Sequence, residues 1–353
     1  MFRKSILGTI VLVGVLALSG CNPPLPPEVR TAIMEQTVTC ESGSVASAAP
    51  YLLSGIPTYL ADTLPMDCPE LSIEVLELDD SADLNFSYST PSENPDLVVV
   101  PIALDAAVMV TNLFDLGSLA FSPETILGIF NGEITQWNDP AISKDNPFET
   151  MPEVPITLVT EAEPHVLIAF EAWMSNLTGT QFSTGFTPVI GFDYYQVVDA
   201  EEGALGLISF VDNFDAYMLQ AGLRYGNEDD DVVIPDLQTL ASAATQLDAV
   251  QTENGLTVEI DYGREPEAPA GSDEIVPPYQ GIFPIFMSYA PDAPLAVRAA
   301  GFFALRQDSQ GAFEQFSVAM LPESVRIASG SIVSVGLPQP EFTDEQLEQL
   351  GLD

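Results

Sequence analysis

Long, unbroken apolar runs are the feature of this sequence that most limits the folds open to it. Residues Leu97 to Ala103 and Ala106 to Val110 are rich in valine and lack the polar alternation of a strand with one wet face. Such runs are typical of strands that other elements cover on both faces. Leu71 to Leu78 predicts a further strand after a helical segment from Ala48 to Leu64. We therefore predict a layered α/β fold in which helices cover a sheet.

Helix and strand signals continue along the rest of the chain. Ser122-Pro123 predicts the start of a helix that ends at Asn131-Gly132, because serine caps a helix and proline fits its first turn. A second helix begins at Pro164, where apolar residues recur at amphipathic spacing. The other predicted elements are strands at Thr37–Cys40, Ile156–Thr160, Gly203–Phe210 and Ile282–Tyr289, and helices at Leu237–Leu247, Pro294–Arg306 and Gly311–Ala319.

The N-terminal segment 1–20 predicts export. Arg3 and Lys4 precede an apolar run from Ile6 to Leu18, and small residues lead on to Cys21. This order is that of a signal peptide, and a cysteine at the cleavage position is typical of a bacterial lipoprotein. We predict that Cys21 carries the lipid, with an uncleaved signal-anchor helix as the alternative. The protein would then lie outside the cytoplasm, anchored to the membrane of a bacterium.

The segment that follows predicts a tether and one cross-link. Residues 21–36 are rich in proline, and we expect them to act as a stiff spacer between the membrane and the folded domain. Only Cys40 and Cys68 then remain in the mature chain. In an exported protein such a pair predicts a disulfide, which contributes about 3 kcal/mol when it closes a loop of about 29 residues. Two buried free thiols are the alternative interpretation.

The acidity of the chain excludes several partners. It has 52 Asp and Glu against 9 Lys and Arg, a formal net charge of −43. A field of this sign repels nucleic acid and anionic lipid. We interpret the acidity as an adaptation for solubility or to a saline habitat, with cation binding as the alternative. The run Asp229-Asp230-Asp231 lacks the ligand spacing and the glycine of a calcium loop, so we predict no metal site.

Catalytic motifs are absent from the sequence. Its single histidine excludes a multi-histidine metal centre, and no Gly-x-Ser-x-Gly elbow, P-loop or dinucleotide-binding glycine pattern occurs. We therefore predict a binding protein that is not an enzyme and that uses no cofactor.

Residues 126–142 carry a family resemblance. They read Ile-Leu-Gly-Ile-Phe-Asn-Gly-Glu-Ile-Thr-Gln-Trp-Asn-Asp-Pro-Ala-Ile. This stretch resembles the segment before the anion-holding loop in the phosphate-binding (PstS-like) proteins of phosphate ABC importers. A more diffuse resemblance covers residues 37–337.

The resemblance implies a two-lobe fold of the periplasmic-binding-protein type II class, with a ligand cleft between the α/β lobes. Lobe one would comprise about residues 37–110 and 281–338, and lobe two about residues 111–280. Residues 339–353 would form an acidic tail after the 37–338 domain. The resemblance also implies a monomer that binds phosphate or another small solute and delivers it to an ABC permease.

All three loops that hold the anion in such proteins are altered here. In the first, Gly43 to Pro50, the Ser47 hydroxyl and the Ala48 N–H would bind the anion, or the serine would only cap its helix. In the second, the family's Gly-Ser-Gly segment is missing. There Ser87 or Ser89 would supply a hydroxyl, or the segment would be a plain turn.

The third loop departs most from the family. Where the family reads Arg-Ser-Asp-Gly-Ser-Gly-Thr-Thr, this chain reads Glu161-Ala-Glu163-Pro-His165. A glutamate in place of the arginine repels an anion in a cleft of low dielectric constant. We predict that the Glu163 carboxylate sits at the N-terminus of its own helix, where the family holds phosphate. His165 would be exposed in the first turn, or would compensate when it is protonated.

Two functional hypotheses follow from these loops. The first is a lipid-anchored solute receptor that resembles the phosphate-binding subunit of an ABC importer. The second is a surface lipoprotein that keeps the fold, does not bind phosphate, and acts in interaction or sensing.

Overall fold

Strands and helices alternate along most of the chain, as an α/β fold requires. The computed structural model describes residues 40–76, 81–225, 232–269 and 274–338. The strands are β1 (Gly43–Ala48), β2 (Leu71–Leu76), β3 (Leu84–Ser87), β4 (Val98–Thr111), β5 (Ala120–Phe121), β6 (Thr157–Leu158), β7 (Glu161–Ala162), β8 (Thr187–Pro188), β9 (Ala204–Ser209), β10 (Leu219–Gln220), β11 (Gly222–Arg224), β12 (Val232–Val233), β13 (Leu247–Gln251), β14 (Leu256–Ile260) and β15 (Ile282–Tyr289). The α-helices are α1 (Gly55–Asp67), α2 (Pro123–Phe130), α3 (Pro140–Asp145), α4 (Pro164–Thr178), α5 (Tyr195–Val198), α6 (Phe210–Ala216), α7 (Leu237–Ala244), α8 (Leu295–Leu305), α9 (Gln307–Phe313) and α10 (Glu323–Val333).

The largest sheet is mixed and has helices packed against it. Its strand order is β2-β1-β3-β15-β4-β9-β6, and β10 pairs with the end of β4. Strand β1 runs parallel to β2 and β3, whereas β15 lies antiparallel between β3 and β4. Helix α1 packs on β2, while α4 packs on β4, β9 and β15. The predicted α/β class is confirmed.

Strand β4 connects two halves of this sheet. Its residues 98–106 pair with β15, and residues 107–111 pair with β9. The sequence predicted two separate strands here, but the two apolar runs join into one strand of 14 residues. Every residue of β4 after Val98 is buried, including the acidic Asp105 between the two runs. Burial on both faces explains why the strand shows no polar alternation.

Residues 126–142 are joined to the start of β9 by one buried side chain. Helix α2 has the predicted limits, and the Ser122 hydroxyl caps it by accepting from the N–H of Thr125 at 3.3 Å. Trp137 is fully buried, and its indole Nε1 donates to the carbonyl of Gly203 at 2.9 Å. These contacts stabilise the half of the sheet that contains β9.

The first helix begins later than the sequence predicted. Helix α1 starts at Gly55, after a single 3₁₀ turn at Tyr51–Leu53, and not at Ala48. Pro50 disfavours the helical conformation at the preceding Ala49. The segment Gly43–Ala48 forms β1 instead, because its buried side chains are covered between β2 and β3.

Other differences are local. The predicted helix at Gly311–Ala319 lies earlier, as α9, and strand Ile156–Thr160 shortens to β6. The hairpin of β13 and β14 and the helix α10 were not predicted. No helix among the described residues is long and apolar enough to cross a membrane.

A disulfide joins Cys40 and Cys68, whose Cα atoms are 5.3 Å apart. It ties the start of the described chain to the C-terminal end of α1. The predicted strand at 37–40 is described only at Cys40, which is not in a strand. The leader with Cys21, the tether, the run 229–231 and the tail 339–353 lie outside the described residues.

Candidate functional site

Three of the predicted site residues lie in strands, Ser47 and Ala48 in β1 and Glu161 in β7. Ser47 and Ala48 are fully buried at the end of β1, and they do not precede a helix because α1 begins only at Gly55. The Ser47 hydroxyl finds no hydrogen-bond partner in the part of the chain that the structure describes. Glu161 is exposed in β7, where it pairs with Thr187. The first loop therefore has a different local structure from the one the sequence predicted.

Ser87 and Ser89 form a turn at the end of β3. The hydroxyl of Ser87 accepts a hydrogen bond from the N–H of Ser89 at 3.2 Å. This is the plain turn that the sequence left open as an alternative. The residue between them, Tyr88, was not predicted to belong to the site, yet its side chain contacts β4, β15 and α4.

The ring of Tyr88 is held between two other rings. It stacks on His165 with centroids 3.9 Å apart and planes 16° apart. Phe283 of β15 meets it edge-on, with centroids 5.7 Å apart, and lies 5.0 Å from His165. Tyr88 therefore links the turn after β3 to the first turn of α4. Tyr88, Asp105, His165 and Phe283 are called the Tyr88 cluster below.

The hydroxyl of Tyr88 donates to a buried carboxylate. Its distance to Asp105 Oδ2 is 2.8 Å, and the other carboxylate oxygen accepts from the N–H groups of Ala106 at 2.7 Å and Val211 at 3.1 Å. Burial raises the pKa of Asp105 to about 6, although the hydrogen bonds from Tyr88 and from the backbone oppose the rise. Burial and the neighbouring Asp105 both raise the pKa of Tyr88.

Glu163 does not occupy the end of its own helix. It is the N-cap residue of α4 but makes no side-chain cap. Its Oε1 instead accepts from the N–H of Gly191 at 2.5 Å. Glu163 therefore makes no capping hydrogen bond to its own helix, and its carboxylate accepts from a loop N–H instead. Burial raises the pKa of Glu163, and the hydrogen bonds from Gly191 and Phe192 oppose this.

His165 is neither exposed nor cationic. Its side chain is only 18% exposed, so the predicted exposed position in the first turn is wrong. Burial lowers the pKa of His165 to about 3, even though its Nδ1 lies 4.0 Å from Glu163 Oε2. A neutral imidazole at neutral pH stacks well on a phenol ring but supplies no positive charge for an anion.

The described cations contact other parts of the molecule. Neither Asp105 nor Glu163 forms an ion pair with arginine or lysine within the described ranges. The arginine contacts are Arg224 with the carbonyl of Asp145, Arg264 with Asp248, Arg298 with the carbonyl of Pro291, Arg306 with Asp67 and Asp308, and Arg326 with the carbonyl of Leu305. The Tyr88 cluster therefore carries a negative potential when Asp105 is ionised.

No metal centre is apparent in residues 40–76, 81–225, 232–269 and 274–338, where no three His, Cys, Asp or Glu side chains are placed to hold an ion.

One signal could have identified part of the site from sequence. Asp105 interrupts an apolar run that is covered on both faces, and a charge in such a place needs a specific partner. No comparable signal distinguishes Tyr88.

Comparisons with known proteins concern the fold. No protein-family model and no curated protein sequence matches the chain. A high affinity periplasmic phosphate-binding protein (PfluDING) bound with phosphate gives a TM-score of 0.53 at 14% identity, covering 85% of this chain and 100% of that one. A Clostridium perfringens protein assigned as a phosphate ABC transporter substrate-binding protein, with bound phosphate, gives 0.50 at 14% identity, covering 79% and 100%. A DING protein gives 0.50 at 13% identity, covering 80% and 93%.

These similarities confirm the fold that residues 126–142 predicted. The chain has the two-lobe α/β fold of periplasmic phosphate-binding proteins, with a divergent site. At these sequence identities the likeness extends to the fold alone.

Proposed function

We propose that this protein is a lipid-anchored, extracytoplasmic solute-binding protein whose cleft takes an uncharged solute in place of phosphate. The fold and the lipoprotein leader support the first part of the proposal. One observation carries the second part: the Tyr88 cluster holds a buried carboxylate, Asp105, that has no arginine or lysine partner in the described chain. A binding role, and not catalysis, fits this arrangement.

An ionised phosphate oxygen beside Asp105 would be repelled. Two unit charges at roughly 4 Å interact by about 4 kcal/mol when the effective dielectric constant is about 20. Since about 1.4 kcal/mol corresponds to a tenfold change in Kd, one such contact weakens phosphate binding by roughly a thousandfold. Glu163 places a second carboxylate next to His165. Protonation of Asp105 would relieve the repulsion only below a pH of about 6.

The proposal assigns a role to each part of the chain. Residues 37–110 with 281–338 form one lobe and residues 111–280 the other, and β4 passes between them. The lobes close on the solute, and an ABC permease receives it. Cys21 carries the lipid that holds the protein at the membrane. Loss of radiolabelled-lipid incorporation in the Cys21→Ser variant tests the anchor.

Calorimetry and thermal melting with phosphate test the ligand assignment. We expect no heat of binding and no change in Tm at millimolar phosphate. A ligand present at about 100 times its Kd stabilises a protein by about 2.7 kcal/mol, so binding at micromolar strength would be readily seen and would refute the proposal. The matched variants Glu163→Gln and Glu161→Gln remove a carboxylate beside His165 and an exposed one, so any gain in response to phosphate should appear only in the first.

A second candidate function is favoured by the Tyr88 side chain itself. Because Tyr88 already occupies the cluster, the protein could serve as a surface lipoprotein that binds no solute and acts in interaction or sensing. A melting screen against uncharged solutes separates the two functions. Stabilisation by a solute supports the receptor, whereas no stabilisation by any solute supports the interaction protein.

A further inference from the structure

The side chain of Tyr88 contacts its surroundings as a bound ligand would. Chemically it is 4-methylphenol attached to the backbone after β3. Its ring and hydroxyl contact Asp105 of β4, Phe283 of β15 and His165 of α4, and the Ser209 side chain of β9 also hydrogen-bonds the hydroxyl. One ring face meets an imidazole, a ring edge meets a phenyl ring, and the hydroxyl meets a single acceptor. This combination of two rings and one acceptor is specific for an aromatic ring that carries a donor.

Backbone groups hold the Asp105 carboxylate in place without help from the Tyr88 hydroxyl. Asp105 is fully buried, and the N–H groups of Ala106 and Val211 hold its Oδ1. Its Oδ2 therefore remains for the Tyr88 hydroxyl at 2.8 Å. A buried acceptor that loses its donor is strongly disfavoured. If the Tyr88 side chain moved out of the cluster, a molecule with a hydroxyl in the same place would bind there more tightly than a purely apolar ring.

The nearby charges further limit which solute could take the place of the Tyr88 side chain. Asp105 and Glu163 disfavour anions, and the stacked face of His165 belongs to a neutral imidazole. An uncharged ring can be buried against His165 and Phe283 without the large desolvation cost that a charged group would incur. The preferred solute is therefore neutral.

The backbone around Tyr88 is held independently of its side chain. Ser87 and Ser89 close their own turn, and the Asn254 amide donates to the carbonyls of Pro91, Asn94 and Leu97 at 3.1, 2.8 and 2.8 Å. Tyr88 also keeps part of its surface exposed to solvent, although its hydroxyl is enclosed. Rotation about its Cα–Cβ bond would vacate the cluster without unfolding the loop.

We propose that the Tyr88 cluster is a binding site for a small neutral phenol, and that the Tyr88 side chain is its built-in, displaceable occupant. This inference rests on the proposed function, because it names the class of uncharged solute that the cleft takes. A solute must compete with the Tyr88 ring, so its apparent affinity for the wild-type protein is reduced by the small fraction of molecules in which the ring is displaced.

Chemical rescue with p-cresol (4-methylphenol) tests the proposal. The Tyr88→Gly variant removes the occupant, and we expect a lower Tm that p-cresol restores in a saturable manner. Toluene has nearly the same shape but no hydroxyl. Since hydrogen bonds to charged groups contribute about 1.5–3 kcal/mol, p-cresol should bind the variant roughly tenfold or more tightly than toluene. The Tyr51→Gly variant is the control, because Tyr51 is 82% exposed and its loss should not be rescued.

A second measurement uses the wild-type protein and does not depend on the folding of the variant. The chain has one histidine, so its ring protons give a single NMR signal set. Displacement of Tyr88 by p-cresol should shift the His165 signals in a saturable way, and toluene should do so less. A folded Tyr88→Gly variant that p-cresol does not stabilise, or that toluene stabilises equally, overturns the proposal. If the variant does not fold, unchanged His165 signals overturn it.

Failure of this inference is distinguishable from failure of the proposed function. Phosphate is titrated into the same wild-type sample. Phosphate binding would contradict the uncharged-solute receptor whatever p-cresol does. Absence of both phosphate and p-cresol binding would reject the phenol site alone and leave other uncharged solutes to the melting screen.

Discussion

Removal of the Tyr88 hydroxyl should destabilise the protein more at pH 8 than at pH 5. The Tyr88→Phe variant keeps the ring on His165 and deletes the donor to Asp105 Oδ2, which lies 2.8 Å away. The effect depends on pH because the acceptor titrates between these values. Burial raises the pKa of Asp105 to about 6, from 3.8 for an ordinary aspartate.

The sign and size of the effect follow from that shift. A carboxyl group with a raised pKa stabilises the folded state fully below its unfolded pKa, and this contribution is lost as pH rises through the folded pKa. At pH 8 Asp105 is ionised, so the variant loses a hydrogen bond to a charge, about 1.5–3 kcal/mol. At pH 5 the folded carboxyl is mostly protonated, and the loss falls to about 0.5–1.5 kcal/mol. Protonation of His165 in the unfolded state affects wild type and variant alike and cancels.

Urea denaturation followed by tryptophan fluorescence measures the difference. Trp137 and Trp173 are both fully buried, so unfolding exposes both probes. Tyr279→Phe is the control, because the buried Tyr279 hydroxyl donates at 2.9 Å to the carbonyl of Ala107, which does not titrate. Its loss should be the same at both pH values. Equal losses for Tyr88→Phe at pH 5 and pH 8 would refute the assignment of Asp105 as an ionisable acceptor.

Three further predictions concern other parts of the molecule. The single set of His165 NMR signals should not titrate between pH 5 and pH 8, because burial lowers its pKa to about 3; titration near the ordinary value would contradict this. Reduction of the Cys40–Cys68 disulfide should lower the free energy of unfolding by about 3 kcal/mol, measured in urea with and without reductant. Asp145→Ala should lower the free energy of unfolding by about 3 kcal/mol, because the buried Oδ2 accepts three hydrogen bonds at the start of α2. Asp139→Ala removes a single cap of α3 and should lower it by about 1 kcal/mol. Similar losses in the two variants would contradict the hydrogen-bond network around Asp145.

Helix limits set by local chemistry could be predicted from the sequence. Helix α2 begins after Ser122 because a serine cap and a proline at the first position act on neighbouring residues. Helix α4 begins at Pro164 because proline fits the first helical position, although Glu163 before it makes no side-chain cap. The start of α1 was mispredicted, since Ala48 joins a strand whose partners are distant along the chain. Two apolar runs likewise merged into β4 because β15 and β9 pair with its two ends.

The candidate site was predicted only in part. His165 and Glu163 were identified as site residues by comparison with the family's third loop, although the contacts of both differ from the prediction. Tyr88 was not identified, because a tyrosine in a polar turn has no periodicity or spacing that marks it. Its role depends on β3, β15 and α4 meeting at one place, which only long-range pairing brings about.

By itself, the sequence determined the α/β class, the family of the fold and the lack of an arginine in the third loop. These follow from hydrophobic pattern, capping residues and one specific stretch, all of which are local properties. The tertiary structure decided which groups meet at the first turn of α4. There the ring of Tyr88 stacks on a neutral His165, and the Tyr88 hydroxyl donates to a buried Asp105. These three residues are far apart in sequence. The physical reason is that burial sets the charge state of both titratable groups, and burial is a property of the folded chain.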